Sequence, residues 1–217
     1  SLAFTLNLTG SGGYSTSTAF SIQVRSSTVT LGNTYYTTAT VTTPDETVLW
    51  TSDNTYVLDG SVLVGKGVTL TVQPGTLVKV APDKYISVDG TLIVDGTAEQ
   101  PAVFTAKTIG QAPWGGIRLS EFSTGSVLNS TVESTRGSLI RHCRLEGAST
   151  GIRLVHGAPQ RLISNCRFEG NGIAIEAGYS SNPIRLVGNH FISNIKGAVL
   201  WGALITVVGN QFVGNSE

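Results

Sequence analysis

The residues best suited to chemistry in this chain occur as matched pairs. Cys143 and Cys166 are 23 residues apart, and Glu146 and Glu169 have the same spacing. Two adjacent thiols could form a disulfide or bind a metal, and two adjacent carboxylates could act as general acid and general base. The equal spacing predicts that one structural repeat places each residue beside its partner.

The neighbours of both pairs favour structural roles. A metal site needs more than two ligands, and only His142 lies near the cysteines in the sequence, so we expect no metal site. A glycoside hydrolase needs two or three converging carboxylates, whereas Arg144 and Arg167 stand close to the two glutamates. We therefore expect surface ion pairs at this position, and neither a catalytic residue nor a cofactor.

The composition is typical of a β protein outside the cell. Charged residues make up 13% of the 217 residues, well below the usual value of about 25%, and 26 residues are Gly. The 14 basic and 14 acidic residues balance and form no basic stripe, which argues against nucleic acid as a partner. No apolar run approaches the ~20 residues of a membrane span. The low charge and the many Ser, Thr, Asn and Gly residues favour an extracellular or cell-surface location.

A repeat of 21 to 23 residues organises the second half of the chain. Its apolar anchors are Leu145, Phe168, Phe191 and Phe212, and a second apolar set precedes each anchor by five residues at Ile140, Ile163, Leu186 and Val207. The tetrapeptide GIRL occurs at 116–119 and 151–154, and GIAI and GAVL follow at 172–175 and 197–200. Repeats of this length with two or three short strands predict a solenoid whose coils stack about 4.8 Å apart. Each apolar set should then form a buried column.

The first part of the chain has a different pattern. Residues 1–24 contain two alternating segments around a Gly- and Ser-rich connector, which predicts a β-hairpin similar to the last two strands of an immunoglobulin-like domain. The Thr-rich residues 25–46 are expected to form a linker or loosely attached strands, and the solenoid should occupy residues 47–217. Residues 120–137 break the repeat spacing, so they form either a coil with a long loop or a compressed extra coil.

Three segments carry a resemblance to a known group of proteins. They are YVLDGSVLVGKGVTLTVQPGTLVKV (56–80), ISVDGTLIVDGTAEQPAVFTA (86–106) and WGGIRL (114–119). With the later repeats, they resemble the right-handed parallel β-helix repeat proteins, the pectate-lyase-like group that includes secreted bacterial proteins. The resemblance implies an all-β, right-handed parallel β-helix over about residues 47–217. It leaves function open, because this scaffold hosts lyases, hydrolases, adhesins and structural proteins.

The resemblance also implies a role for the residue two positions before each anchor. In this group the position lies at a tight corner where Asn side chains stack in a ladder, and Asn tolerates the left-handed backbone that such a corner needs. The corresponding residues here are Cys143, Cys166, Asn189 and Asn210. Adjacent coils bring Cα atoms to about 4.8 Å, within the disulfide range of about 4.4–6.8 Å. Both a disulfide and a pair of stacked free thiols fit this arrangement.

Arg118, Arg153 and Trp201 are the candidate ligand-binding residues. Arg118 and Arg153 occupy the same outward position of the GIRL segments, and in polysaccharide lyases of this fold basic residues on one face bind uronate carboxylates. Only Glu176 accompanies them, so we expect a solvated face there, and uronate binding is the alternative. Trp201 follows the inward Leu200 and should point outward, where it could contact a sugar or a partner.

The sequence therefore favours a non-catalytic extracellular structural or adhesive β-helix module, such as a surface-protein stalk or the subunit of an extracellular filament. The expected partner is a second copy in head-to-tail assembly, or a surface polysaccharide. The alternative is a polysaccharide-binding or lyase-like polysaccharide-cleaving module. An enzyme should have a groove with several convergent ionisable groups, whereas a structural module should not.

Overall fold

The computed structural model describes residues 2–9, 15–22, 27–38, 40–41, 46–128, 134–180, 182–202 and 204–217. Within these ranges the chain forms 26 β-strands and no α-helix. Strands β1 (Leu2–Thr9) and β2 (Ser15–Ile22) pair in antiparallel register. The immunoglobulin-like character of residues 1–24 stays a prediction.

The remaining strands, apart from one inserted antiparallel pair, form coils whose strands belong in turn to three parallel sheets. In chain order they are β3 (Ser27–Leu31), β4 (Thr34–Tyr36), β5 (Thr47–Trp50), β6 (Asn54–Leu58), β7 (Val62–Val64), β8 (Thr69–Val72), β9 (Leu77–Val80), β10 (Tyr85–Val88), β11 (Thr91–Asp95), β12 (Ala102–Ala106), β13 (Gly116–Leu119), β14 (Ser126–Leu128), β15 (Ser134–Gly137), β16 (Leu139–Arg141), β17 (Cys143–Glu146), β18 (Thr150–Leu154), β19 (Arg161–Ser164), β20 (Arg167–Glu169), β21 (Ile173–Ser180), β22 (Ile184–Val187), β23 (His190–Ile192), β24 (Lys196–Gly202), β25 (Ile205–Val208) and β26 (Gln211–Val213).

Three sheets run the length of the solenoid. Sheet 1 is ordered β3-β6-β9-β12-β17-β20-β23-β26, sheet 2 is β4-β7-β10-β13-β18-β21-β24, and sheet 3 is β5-β8-β11-β16-β19-β22-β25. We number the coils by their sheet 1 strand, so coil 1 begins at β3, coil 5 at β17 and coil 7 at β23. The prediction of an all-β parallel solenoid is confirmed.

The core consists of the inward residues of every coil, because alternate strand residues point to opposite faces. The two predicted columns are in register: Ile140, Ile163, Leu186 and Val207 on sheet 3, and Leu145, Phe168, Phe191 and Phe212 on sheet 1. Phe191 stacks between Phe168 and Phe212, with ring centroids 5.3 and 4.6 Å away. The columns are buried except for their last members, Val207 and Phe212, which are 47% and 51% exposed.

The solenoid begins earlier than the predicted boundary at residue 47. Strands β3 and β4 lie in the Thr-rich segment 25–46, and they pair in parallel with β6 and β7. Val29, Leu31 and Tyr36 pack against the core. Of the two alternatives for this segment, the structure has strands at residues 27–31 and 34–36: Thr is β-branched and suits strands, and a few apolar residues suffice once coil 2 supplies the partner surface.

Residues 120–137 contain an inserted hairpin and do not form an extra coil. Strands β14 and β15 pair in antiparallel fashion between β13 and β16. Arg161, which is 1% exposed, anchors the loop that leads into this hairpin by donating to the carbonyl oxygens of Thr124 at 2.9 Å and Ser123 at 3.3 Å. Burial lowers the pKa of Arg161 to about 10. A buried cation thus fixes the insertion to the body of the solenoid.

Candidate functional site

The outer face of sheet 1 carries a lattice of Arg144, Arg167, Glu146 and Glu169, which we call the sheet 1 lattice. The parallel register places Arg144 beside Arg167 and Glu146 beside Glu169. Arg144 contacts Glu146 and lies 3.3 Å from Glu169, which also accepts a hydrogen bond of 2.9 Å from Arg167. These are the ion pairs that the sequence predicts.

The ion pairs of the sheet 1 lattice make Glu169 a poor general acid. The hydrogen bond from Arg167 is the main reason that the pKa of Glu169 is lowered, and the charge of Arg144 lowers it further. The same bond raises the pKa of Arg167. A general acid needs a raised pKa to hold its proton near neutral pH, so Glu169 is poorly suited to that role.

A groove of about 620 Å³ lies beside the lattice, between the loop after β12 and the corners that follow β17, β20 and β23. Its lining includes Ile109, Gln111, Ser149 and the two lattice glutamates. Both carboxylates that face the groove are bound to Arg144. The groove therefore provides space for a ligand but lacks a converging set of uncommitted ionisable groups.

Arg118 and Arg153 are neighbours on the outer face of sheet 2, followed in the same column by Glu176. The Arg153 guanidinium lies 2.7 Å from a Glu176 carboxylate oxygen, and the Arg118 guanidinium carbon lies 3.8 Å from the centroid of the Tyr85 ring. Each cation thus has its own protein partner. A uronate carboxylate would have to compete with Glu176 for Arg153.

Trp201 is the outermost member of an aromatic strip formed with Tyr179 and His156, one residue from each of three successive coils. The Tyr179 ring centroid lies 5.8 Å from Trp201 and 6.4 Å from His156. Tyr179 is 62% exposed and Trp201 is 52% exposed, so their ring faces are open to solvent. Each ring also has a polar atom that can hydrogen-bond, a combination that suits sugars.

The corner between sheets 3 and 1 holds the predicted Asn ladder. The Asn189 side-chain oxygen accepts from the backbone N–H of Cys166 at 3.0 Å, and that of Asn210 accepts from the backbone N–H of Asn189 at 2.9 Å. The left-handed conformation was predicted for the column residues themselves, and this prediction is wrong by one position. Positive φ angles occur at the residues that precede them, His142, Asn165, Gly188 and Gly209. The sharp bend thus comes just before the column, and the Asn side chain ties it to the neighbouring coil.

Cys143 and Cys166 continue this column as free thiols, with their Sγ atoms 2.8 Å apart. Both are buried. Burial, and secondarily the hydrogen bond to Cys166, raises the pKa of the Cys143 thiol well above its ordinary value. In the part of the chain that the structure describes, no group of three or more His, Cys, Asp or Glu side chains could hold a metal.

Comparison with known protein families agrees with this architecture. Residues 40–139 match a family model described as a pectate-lyase like beta helix domain, and the three parallel sheets continue to Val213. The chain is a right-handed parallel β-helix protein. No curated protein and no solved structure gives a significant match. Among the described residues of this β-helix protein, no helix is both long and apolar enough to cross a membrane.

The β-helix also contains a second Asn ladder, at the corner between sheets 1 and 2, that sequence reasoning missed. Asn171 donates from its backbone N–H to the side-chain oxygen of Asn194 at 3.0 Å, and Asn194 does the same to Asn215. Asn171 and Asn194 are each 1% exposed. The signal was present in the sequence, because the three residues follow the anchors Phe168, Phe191 and Phe212 at a constant distance of three.

Proposed function

We propose that this β-helix protein is a non-catalytic structural or adhesive module that acts outside the cell, as a surface-protein stalk or a filament subunit. One observation carries the proposal: polar side chains of the outer faces and corners join neighbouring coils. The sheet 1 lattice and the Arg153–Glu176 pair are examples, and Arg141 pairs with Asp95 of the preceding coil. Charged side chains that pair between coils stiffen the solenoid, and they are unavailable to a substrate.

The extracellular location is part of the proposal and rests on composition. Charged residues are only 13% of the chain, and Gly and small polar residues are abundant. Expression of the protein in its native host, followed by cell fractionation and surface labelling, tests it. Recovery of all of the protein from the cytoplasmic fraction would contradict it.

The central test of the proposal is whether the protein cleaves polysaccharides. Incubation with polygalacturonate, alginate and neutral polysaccharides should release no unsaturated product and no new reducing ends. If product appears, Arg118→Ala and Arg153→Ala should be compared with Lys66→Ala, a change in an exposed cation on another part of the surface. Activity lost only in the two arginine variants would replace this proposal with the lyase alternative.

Head-to-tail assembly requires a second copy as the partner. In such an assembly a strand of one copy would add to the sheet edge of the next. Sedimentation and electron microscopy should show elongated particles with an axial repeat of one solenoid length. Deletion of residues 1–24, or Phe212→Ser, should abolish them, whereas Phe122→Ser should not. A monodisperse monomer over a wide concentration range would exclude assembly.

A polysaccharide-binding module is the second candidate, and the aromatic strip of His156, Tyr179 and Trp201 favours it. Exposed aromatic faces in a row can stack against successive sugar rings. Trp201→Ala should weaken binding to a neutral polysaccharide about tenfold, the equivalent of about 1.4 kcal/mol, as measured by titration calorimetry. Phe122→Ala is the matched control, because Phe122 is equally exposed at 56% and lies outside the strip. Equal affinities in both variants would remove this candidate.

A further inference from the structure

The cysteine pair lies at a corner where the solenoid lacks an amide link. Asn189 and Asn210 each tie their coil to the preceding one through a side-chain oxygen. One coil earlier, Cys166 contacts Cys143 at 2.8 Å between Sγ atoms and the Ser164 carbonyl oxygen at 3.3 Å. A thiol is a weak hydrogen-bond donor, so the side chains at this step of the column contribute less than the Asn side chains do.

The backbone holds the two thiols in a position suitable for a bond. Arg144 pairs with Arg167 in parallel register directly after the cysteines, so Cys143 and Cys166 face each other on adjacent coils. Adjacent strands are separated by about 4.8 Å, within the disulfide range of about 4.4–6.8 Å between Cα atoms. The corner residues His142 and Asn165 adopt the same left-handed conformation, with φ of 47° and 53°, and therefore present the two cysteines in the same way.

A groove gives small molecules access to this corner. It has a volume of about 470 Å³, and both cysteines line it together with the basic side chains of Arg144 and Arg167. His142 and His190 stand on the same rim. A small disulfide such as oxidised glutathione matches this groove in size.

We propose that Cys143 and Cys166 form a reversible disulfide between coils 5 and 6 by thiol–disulfide exchange with a small disulfide that enters this groove. One cysteine, as its thiolate, attacks a sulfur of the external disulfide and releases one small thiol. The second cysteine then attacks the protein sulfur of the mixed disulfide and releases the second small thiol. The two protein sulfurs are oxidised, the external disulfide is reduced, and the two cysteine protons leave with the released thiols. The bond covalently links the one pair of coils whose corner column consists of thiols.

The direct test is oxidation of the native full-length chain. The reduced protein is incubated with oxidised glutathione at pH 8.5, because burial raises the pKa of the Cys143 thiol and exchange needs the thiolate. The intact mass should fall by two hydrogen masses, and peptide mapping should show Cys143 linked to Cys166. The oxidised protein should also unfold at higher urea concentration, and reductant should reverse both changes.

Variants distinguish the intercoil bond from nonspecific oxidation. Cys143→Ala and Cys166→Ala should each stop at a glutathione adduct, and the double Cys143→Ala/Cys166→Ala variant should show no oxidant-dependent shift in urea midpoint. Both thiols remaining free in the native protein, while the urea-unfolded chain oxidises, would overturn the proposal. Stable glutathione adducts on both cysteines of the native protein would overturn it as well.

Discussion

In coil 2, the corner between sheets 1 and 2 is closed by Asp59 and Gly60, whose backbone N–H groups donate to the Leu31 carbonyl at 2.8 and 3.1 Å. In coil 6, the same corner is closed by Asn171, whose side-chain oxygen accepts from the backbone of Ala148 at 2.9 Å. The coil 2 corner adds one amide contact, from the Ser61 N–H to the Asn33 side-chain oxygen at 3.0 Å, and the coil 6 corner adds a backbone bond from Gly172 to the Ala148 carbonyl at 2.9 Å. The same path between sheets can therefore be fixed by different proportions of backbone and side-chain interactions.

The cores of the two regions differ as well as their corners. Coils 2 and 3 bury short, mostly β-branched side chains such as Val64, Val80 and Val88, whereas coils 6 and 7 bury the stacked rings of Phe168 and Phe191. The first type of core distributes its burial over many small contacts. The second concentrates it in a few large rings, so single substitutions there should have larger effects.

The largest expected effect is in this Phe stack. Phe191→Ala should lower the free energy of unfolding by roughly 3–5 kcal/mol, because it leaves a cavity between two stacked rings. The measurement is a urea titration of the purified variant. Phe212→Ala is the control: its ring is 51% exposed and should cost much less. Equal losses for the two variants would show that the column does not define the core.

The next largest loss of stability is expected from a substitution at Gly60, in the coil 2 corner. A methyl group at Gly60 would lie 2.1 Å from the backbone nitrogen of Asn33, which cannot move without breaking the corner. Gly60→Ala should therefore cost about 3 kcal/mol in the same titration. Gly32→Ala, at the adjacent coil of this corner, meets no atom within 4 Å and should be close to neutral. A neutral Gly60→Ala would refute the distinction between the two corners.

A substitution in the Asn ladder between sheets 1 and 2 should lower the free energy of unfolding somewhat less. Asn194→Ala removes the acceptor for Asn171 and the donor to the Phe168 carbonyl, which leaves buried polar groups without partners. The expected cost is about 2 kcal/mol. Asn215→Ala, at the less buried end of this ladder, should cost less, and hydrogen exchange at the Asn171 amide should accelerate only in Asn194→Ala. Unchanged exchange would show that the ladder does not hold the corner.

The smallest effect is expected on the exposed sheet 1 lattice. Glu169→Gln should cost about 0.2–1 kcal/mol at neutral pH, because ion pairs near the surface contribute little. The pKa of Glu169 is lowered in the folded state, so its contribution is fully present above the ordinary value of 4.5 and is lost as the pH falls through the lowered value. Melting temperatures of the wild type and Glu169→Gln should therefore converge in acid. Glu99→Gln, in an exposed loop outside the sheet 1 lattice, is the matched control variant for this measurement.

The repeat made much of the fold predictable from the sequence. Once Phe168 and Phe191 are aligned, every residue at the same offset must lie in the same column, because parallel strands stack in register. This is why the Arg144 and Glu169 ion pair and the adjacent positions of Cys143 and Cys166 could be expected. The second Asn ladder was equally accessible by this reasoning and was overlooked.

The sequence could not predict features that depend on contacts outside the repeat. Residues 27–36 lack a strong apolar pattern, and only their pairing with β6 and β7 makes them strands. Arg161 occupies a position that is apolar in the next coil, at Ile184, and its burial follows from the carbonyl groups that the inserted loop presents to it. Neither signal is local in the sequence.

The sequence by itself determined the coil period, the columns and the pairs of residues that would meet, since a constant offset along the chain becomes a fixed direction in a solenoid. The tertiary structure decided how those residues use their chemistry. It pairs Arg153 with Glu176 and places Arg118 over the ring of Tyr85, and it brings His156 and Tyr179 beside Trp201. These choices depend on side-chain directions and loop paths, which a repeat period does not specify.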